Sequence, residues 1–113
     1  MVNRAVVILR YKDPIMKWIN EADPEEDSSE VSLASANEER TVYLVSDGEA
    51  ENIDRWIHAN YSVLFESELE GWYTDESMWP KNRDLKTFKE WFEVECHSVV
   101  LDTVGGQIFD DEI

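Results

Sequence analysis

The longest regular pattern in the sequence is an amphipathic stretch from residue 53 to residue 72. Apolar side chains recur at the three- and four-residue spacing of one helix face, and acidic residues occupy the other face. Asp47-Gly48 interrupts the pattern before this stretch. Gly71 is predicted to end it, because glycine takes the left-handed conformation without a Cβ clash. A helix of about 20 residues is about 30 Å long and crosses a whole small domain. Its apolar stripe consists of Ile53, Trp56, Ile57, Tyr61, Leu64, Phe65, Leu69 and Trp72.

Shorter patterns before this helix predict strands and one further helix. Residues 2–10 and 41–45 are rich in β-branched side chains, which favour strands. The apolar run at 6–9 is continuous, which is typical of a strand covered on both faces. Asp13-Pro14 predicts a helix start, with Asp13 as the N-cap and Pro14 in the first helical position. Residues 31–37 fit either a short helix or a strand.

The C-terminal part predicts a helix followed by a hairpin. Asp84 is expected to cap a helix. The residues towards one side of this helix would be Leu85, Phe88, Trp91, Phe92 and Glu95. Residues 98–104 are predicted to form a strand, and Gly105-Gly106 suits a two-residue turn that returns the chain through 107–110. We therefore expect an α/β fold, a two- or three-layer sandwich. It would contain a mixed sheet of about four strands, three main helices and a C-terminal Gly-Gly β-hairpin. Residues 1–113 are expected to form a single compact domain, since domains typically run about 100–150 residues.

The charge balance limits the class of partner. The chain has 26 acidic and 10 basic residues and a formal net charge of −16. Disordered chains are poor in aromatic residues, whereas 12% of this chain is aromatic, which favours a folded domain with an acidic surface. Binding to nucleic acid or to an anionic membrane needs clustered Lys and Arg, so both are disfavoured. The partner that this charge favours is a basic protein.

Cysteine usage and the N-terminal segment bear on location. Cys96 is the only cysteine, so no internal disulfide is expected. The apolar run at 5–9 is too short for the core of a signal peptide or for a membrane-spanning helix. The sequence therefore predicts a cytoplasmic protein in a reducing compartment.

No catalytic residue, metal site or cofactor is predicted. Cys96-His97 is the pair that most resembles nucleophile chemistry, but neighbours along a strand point to opposite faces, so a structural Cys96 is expected. The acidic runs at 23–30 and 110–112 offer oxygen ligands without the ligand spacing of a calcium loop.

An aromatic loop after the long helix is the best candidate for a binding site. Its plain interpretation is that the rings close one end of the core. Its functional interpretation is a recognition surface, because Trp and Tyr are enriched at binding hot spots and neighbouring carboxylates steer a basic partner. The helix acids Glu66, Glu68 and Glu70 would assist this steering. The candidate binding residues are Trp72, Tyr73, Asp75, Glu76 and Trp79.

These observations predict a small acidic cytosolic protein of bacterial type that acts as a non-enzymatic protein-interaction or inhibitor-like module and binds a basic partner surface. In size and charge, but in no motif, the chain resembles small acidic protein inhibitors of nucleases. The alternative is a small-ligand-binding protein or small enzyme with a pocket near residues 72–80 or near Cys96 and His97. An acidic mimic of DNA is a third hypothesis.

Overall fold

The computed structural model describes residues 3–22, 33–38 and 40–106 and places three antiparallel strands in one sheet, in the order β2-β1-β3. The strands are β1 (Arg4–Tyr11), β2 (Val42–Ser46) and β3 (Phe92–His97). The helices are α1 (Asp13–Glu21), α2 (Leu33–Ala36), α3 (Asp47–Ala50), α4 (Ile53–Trp72) and α5 (Leu85–Trp91). A single 3₁₀ turn, Glu76–Met78, lies between α4 and α5. The predicted α/β class is confirmed.

The central strand β1 is paired on both sides. Val7 lies opposite Tyr43 of β2 and opposite Cys96 of β3, so these three residues share one face of the sheet. Side chains alternate between faces along a strand, and alternate residues of β1 from Ala5 to Tyr11 are buried on this face. The helices supply the second layer of the core on the same face.

The core is formed where α4 and α5 cover this face of the sheet. Phe65, Phe88 and Leu69 are fully buried, and Phe65 packs its ring against Phe88, Trp91 and Phe92. The buried hydrophobic residues are Ala5, Val7, Leu9, Tyr11, Ile15, Met16, Ile19, Ala36, Val45, Ile57, Leu64, Phe65, Leu69, Phe88 and Phe92.

Among the described residues, no helix layer covers the opposite face of the sheet. Val6 and Ile8 on this face are half-buried, whereas Val42 and Leu44 are more than half exposed. Within the described residues, β1 is therefore covered on one face, and not on both faces as the sequence predicts. An antiparallel sheet packs on one face and leaves the other towards solvent more readily than a parallel sheet does. We call this surface the open face.

Helix ends partly follow the sequence signals. Asp84 caps α5 as predicted, because its carboxylate accepts the Thr87 amide hydrogen at 2.8 Å. The N-cap of α1 is Lys12 rather than Asp13, so Asp13 and Pro14 lie one position further into the helix than expected. Gly71 does not end α4, which continues to Trp72 and is followed by extended backbone at the next residue.

The finer sheet prediction needs correction. Within the described residues the sheet has three strands rather than about four, and it is antiparallel rather than mixed. Residues 98–104 are not a strand, and the returning strand predicted at 107–110 lies outside the described residues. In the ambiguous segment 31–37, residues 33–36 form the short helix α2. No helix in the described part of the chain combines the length and apolarity needed to cross a bilayer.

Candidate functional site

The predicted binding residues lie at the last residue of α4 and in the connection from α4 to α5. We call residues 72–84 the aromatic loop. Trp72, Tyr73 and Trp79 are half-buried there, whereas Asp75 and Glu76 are exposed. The structure therefore brings aromatic rings and carboxylates into one short segment of the surface.

Hydrogen bonds within the protein hold the polar tips of these rings. The Trp79 Nε1 donates to the Tyr73 carbonyl at 2.8 Å, and the Trp72 Nε1 donates to the Tyr11 hydroxyl at 2.9 Å. The Tyr73 hydroxyl donates to the Ile19 carbonyl at 2.7 Å. The N–H and O–H donors of these rings are thus already used within the protein, whereas the ring faces and edges remain available for contact with a partner.

Ring contacts tie the aromatic loop to α1. The rings of Trp18 and Tyr73 meet edge to face with centroids 5.3 Å apart, and the Trp18 Nε1 donates to the Met78 carbonyl at 2.9 Å. The Arg83 guanidinium lies 5.7 Å from the centre of the Trp79 ring, within the range of a cation–π contact. These contacts close one end of the core, as the plain interpretation of the loop expects.

The carboxylates of the aromatic loop have different surroundings. Asp75 accepts hydrogen bonds from the Ser77 hydroxyl at 2.7 Å and from the Ser77 amide at 3.0 Å. The bond from the Ser77 side chain, followed by the bond from its amide, holds the pKa of Asp75 below its ordinary value. Glu76 forms no ion pair within the described residues. Hydrogen bonds therefore orient the carboxylate of Asp75, whereas no ion pair holds that of Glu76.

The three helix acids expected to steer a partner do not form one acidic face. Glu70 is exposed, and Glu66 pairs with Arg83 at 3.7 Å. Glu68 is only 8% exposed and lies in the core. The prediction for Glu68 is therefore wrong, because this residue falls on the buried side of α4.

A hydrogen-bonded cluster surrounds the Glu68 carboxylate. Tyr11 donates its hydroxyl to one carboxylate oxygen at 2.7 Å, and Tyr43 donates its hydroxyl to the other. The Trp72 indole donates in turn to the Tyr11 oxygen. We call these residues, Tyr11, Tyr43, Glu68 and Trp72, the Glu68 cluster. It joins β1 and β2 to the C-terminal end of α4.

The two phenols of the Glu68 cluster have raised pKa values. Burial is the main cause for both phenols. The next cause is the negative charge of Glu68 for Tyr11 and the hydrogen bond to Glu68 for Tyr43. The folded state therefore favours the neutral phenols. Their contribution to stability is fully present below the ordinary tyrosine pKa of about 10 and is lost as pH rises towards the folded values.

We expect the melting temperature to fall as pH rises above about 10, where unfolded tyrosines ionise. Tyr43→Phe should make this fall in melting temperature shallower. The substitution removes a phenol that ionises at a lower pH in the unfolded chain than in the folded protein. The measurement is thermal unfolding followed by circular dichroism across alkaline pH. Tyr61→Phe is the control, since the Tyr61 hydroxyl forms no hydrogen bond among the described residues. If the melting temperatures of Tyr43→Phe and the wild type fell equally with pH above about 10, the raised pKa of Tyr43 would be contradicted.

A cleft of about 200 Å³ opens beside this cluster. Its walls include Glu68, Trp72, Arg40 and Ser67. The alternative prediction places a small-ligand site near residues 72–80, and of these residues Trp72 alone lines the cleft. A ligand function for this cleft stays a prediction.

Cys96 and His97 lie on opposite faces of β3. Cys96 is partly buried and packs against the core, whereas His97 is exposed and its Nε2 lies 3.6 Å from a Glu95 oxygen. The two side chains therefore do not face each other, as a thiol and its general base must. Among the described residues, no group of three or more His, Cys, Asp or Glu side chains is arranged to hold a metal ion.

A second acidic area lies at the N-terminal end of α4, at the opposite end of this helix from the aromatic loop. Asp47 and Glu49 are exposed on α3, Glu51 is exposed in the turn that follows, and Asp54 is exposed in the first turn of α4. None of the four forms an ion pair within the described part of the chain. In the sequence this area is marked by acidic residues clustered at a helix start, where the helix dipole favours carboxylates.

Comparison of the chain with protein-family models, with curated proteins and with solved structures finds no match.

Proposed function

We propose that the protein is a non-enzymatic, inhibitor-like interaction module that binds a basic protein surface through the aromatic loop. The observation that carries this proposal is the close association of half-exposed rings with exposed carboxylates. The contact residues would be Trp72, Tyr73, Asp75, Glu76 and Trp79.

The rings are suited to this role because they are held in place before binding. Internal hydrogen bonds fix the indoles of Trp72 and Trp79, so little side-chain freedom remains to be lost when a partner arrives. Aromatic residues that bury a large area with few rotatable bonds are the usual hot spots of interfaces.

The charge of the protein would act mainly on the rate of encounter. The four exposed acids between Asp47 and Asp54 lie at one end of a 20-residue helix, and the aromatic loop lies at the other. The two acidic areas are therefore separated by about 30 Å of helix, a span comparable to a small protein surface. Long-range attraction of this kind raises association rates and weakens with salt. The proposal places the protein in the cytoplasm, where Cys96 would remain reduced.

The proposal predicts that Glu76→Lys weakens partner binding by about fivefold or more at low salt, equivalent to about 1 kcal/mol. The partner is first captured by cross-linking to the wild-type protein and identified by mass spectrometry. Its affinity for each variant is then measured by isothermal titration calorimetry. The expected cause is repulsion between the new lysine and a basic partner surface.

Glu90→Lys is the matched control, because Glu90 is an exposed acid on α5, outside the aromatic loop, and its replacement changes the net charge equally. Equal weakening by both variants would show that net charge alone drives binding and would contradict a site at the loop. Failure to recover any partner at low salt would favour the small-ligand alternative.

A further inference from the structure

Glu68 is an acidic residue that is buried among neutral hydrogen-bond donors. It is 8% exposed, and its carboxylate accepts hydrogen bonds from the hydroxyls of Tyr11 and Tyr43. Within the described residues, it forms no ion pair with a lysine, arginine or histidine. The two phenols satisfy its hydrogen bonds but do not compensate its negative charge, and buried charges in proteins are usually paired. A positive charge placed beside Glu68 would therefore gain more than it would beside an exposed acid.

Glu68 is one of the residues that line the cleft of about 200 Å³. Tyr11, which donates to its carboxylate at 2.7 Å, lines the same cleft. A carboxylate accepts hydrogen bonds at about four positions, and the two phenols use about half of them, so the others remain available to the N–H donors of a ligand. Because a water molecule takes about 30 Å³, the cleft has room for roughly six or seven groups of that size. This volume accommodates a short alkyl chain that ends in an amine.

The other walls of the cleft also favour a cation. Tyr11 and Trp72 both line it, and their ring centroids are 6.3 Å apart at an angle of 52°. The electron-rich face of an aromatic ring attracts a positive charge within about 6 Å. Thr41 and Ser67 add hydroxyl groups, which accept hydrogen bonds from an ammonium group. A carboxylate, aromatic rings and hydroxyls together are surroundings that suit an alkylammonium ion.

Arg40 also lines the cleft, but its guanidinium is already paired with another acid. The Arg40 Nη1 lies 3.7 Å from a carboxylate oxygen of Glu95, and Glu95 is opposite Ile8 on the open face of the sheet. The same nitrogen is buried, so it is not accessible to an anion in the cleft. Glu68 is therefore the charged residue that determines which ligand the cleft prefers.

We infer that the cleft beside the Glu68 cluster binds a primary alkylammonium ion, with the charged nitrogen against Glu68 and the alkyl chain along Trp72. A free amine and the side chain of a lysine in another protein both carry this group. The inference does not depend on the proposed function, because small amines test it without a partner.

Nuclear magnetic resonance titration of the isotope-labelled protein with n-butylammonium chloride tests the inference. The reporter is the indole N–H of Trp72, which donates to the Tyr11 hydroxyl oxygen at 2.9 Å and is identified by its loss in Trp72→Phe. We expect a saturable shift with a dissociation constant on the order of 1 mM, within the range for so small a ligand. n-Butanol, which has the same chain without the charge, should give no saturable shift.

A blocked lysine, Nα-acetyl-lysine methylamide, distinguishes the two sources of the ammonium group. If the cleft receives a lysine side chain of another protein, the blocked lysine should bind as tightly as n-butylammonium, because it carries peptide bonds on both sides. Binding of n-butylammonium alone would identify a free amine as the ligand. The absence of a saturable shift with either amine would overturn the inference.

Gly71→Leu is designed to fill the cleft without disturbing the core. Gly71 lines the cleft from α4, and apart from its chain neighbours and its own helix backbone, a Cβ atom added there meets no atom within 4 Å. The variant keeps the net charge of −16, so unspecific attraction of amines to the acidic surface would survive it. We expect it to abolish the saturable shift. Gly48→Leu is the matched control, because Gly48 lies in α3, away from the cleft, and has the same open space.

Glu68→Gln should raise the dissociation constant of n-butylammonium by at least about tenfold, because the amide keeps the shape of the side chain and removes its charge. The dispersion of each spectrum verifies the fold. If Glu68→Gln does not fold, the comparison of Gly71→Leu with Gly48→Leu still decides the question. The inference is overturned if n-butanol binds as tightly as n-butylammonium, or if Gly71→Leu binds n-butylammonium as the wild type does.

Discussion

Replacing Phe65 with alanine is expected to lower the free energy of unfolding by about 3–5 kcal/mol, the usual cost of removing a large buried ring. The Phe65 side chain is 0% exposed and its ring meets Trp91 and Phe92 with centroids 5.3 and 5.5 Å apart. It therefore joins α4 to α5 and to the start of β3. Alanine would leave a cavity at this junction and remove several ring contacts at once.

Urea denaturation followed by tryptophan fluorescence measures this loss. Val63→Ala is the control on the same helix, because Val63 is 68% exposed and its truncation should change stability by no more than about 0.5 kcal/mol. If Phe65→Ala is too unstable to purify, Phe65→Leu should retain the fold with a smaller loss. A loss for Phe65→Ala no larger than that of the control would show that the ring does not connect these elements.

The long helix is the part of the fold that the sequence predicts best. Its eight apolar positions follow a helical period, and α4 spans the same residues that the pattern indicates, Ile53–Trp72. Local periodicity is enough for this element because it does not depend on which surface the helix covers. The end of the helix is less predictable, since Gly71 is helical and the chain leaves the helix only after Trp72.

The segment that contains β3 fits both the spacing of a helix and the alternation of a strand. Phe88, Trp91, Phe92 and Glu95 fit a helical spacing, which extends the predicted helix beyond its observed end at Trp91. The residues from Phe92 to His97 also alternate strictly between apolar and polar, and this is the period that the structure follows. Pairing with β1 decides the outcome, and that contact is not visible in local sequence.

The candidate site was predictable in position but not in internal contacts. The sequence places the rings and carboxylates of the aromatic loop together because they are near neighbours in the chain. The bond from Tyr73 to Ile19 and the contact of Trp18 with the loop join segments about fifty residues apart or more, so only the folded chain reveals them. Such long-range hydrogen bonds depend on tertiary packing that has no local signature.

The position of Glu68 in the sequence indicates burial, whereas its acidic character indicates exposure. It lies four residues after Leu64 and four before Trp72, on the apolar stripe of α4. Its acidic character favoured an exposed position, since glutamate is rarely buried unless it has partners. The partners, Tyr11 and Tyr43, come from two strands that the sequence separates widely.

Replacing Glu68 with alanine is expected to lower the free energy of unfolding by about 3 kcal/mol, since buried hydrogen bonds to a charged group contribute about 1.5–3 kcal/mol each and some of the loss is regained by rearrangement. The hydroxyls of Tyr11 and Tyr43 would lose their acceptor at the junction of β1, β2 and α4. Glu68→Gln should cost less than alanine, because the amide oxygen still accepts one of the two phenols. The measurement is urea denaturation at neutral pH.

Glu70→Ala is the matched control for this experiment. Glu70 lies on the same helix and is exposed, and it forms no hydrogen bond or ion pair within the described residues, so its replacement should change stability by no more than about 0.5 kcal/mol. The order of stability expected is Glu70→Ala, Glu68→Gln, Glu68→Ala, from most to least stable. Equal stabilities of the two alanine variants would mean that the Glu68 cluster does not hold the strands to α4. A Glu68→Gln variant as unstable as Glu68→Ala would instead show that one acceptor oxygen is not enough, because the carboxylate presents two acceptor oxygens to the two phenols and the amide only one.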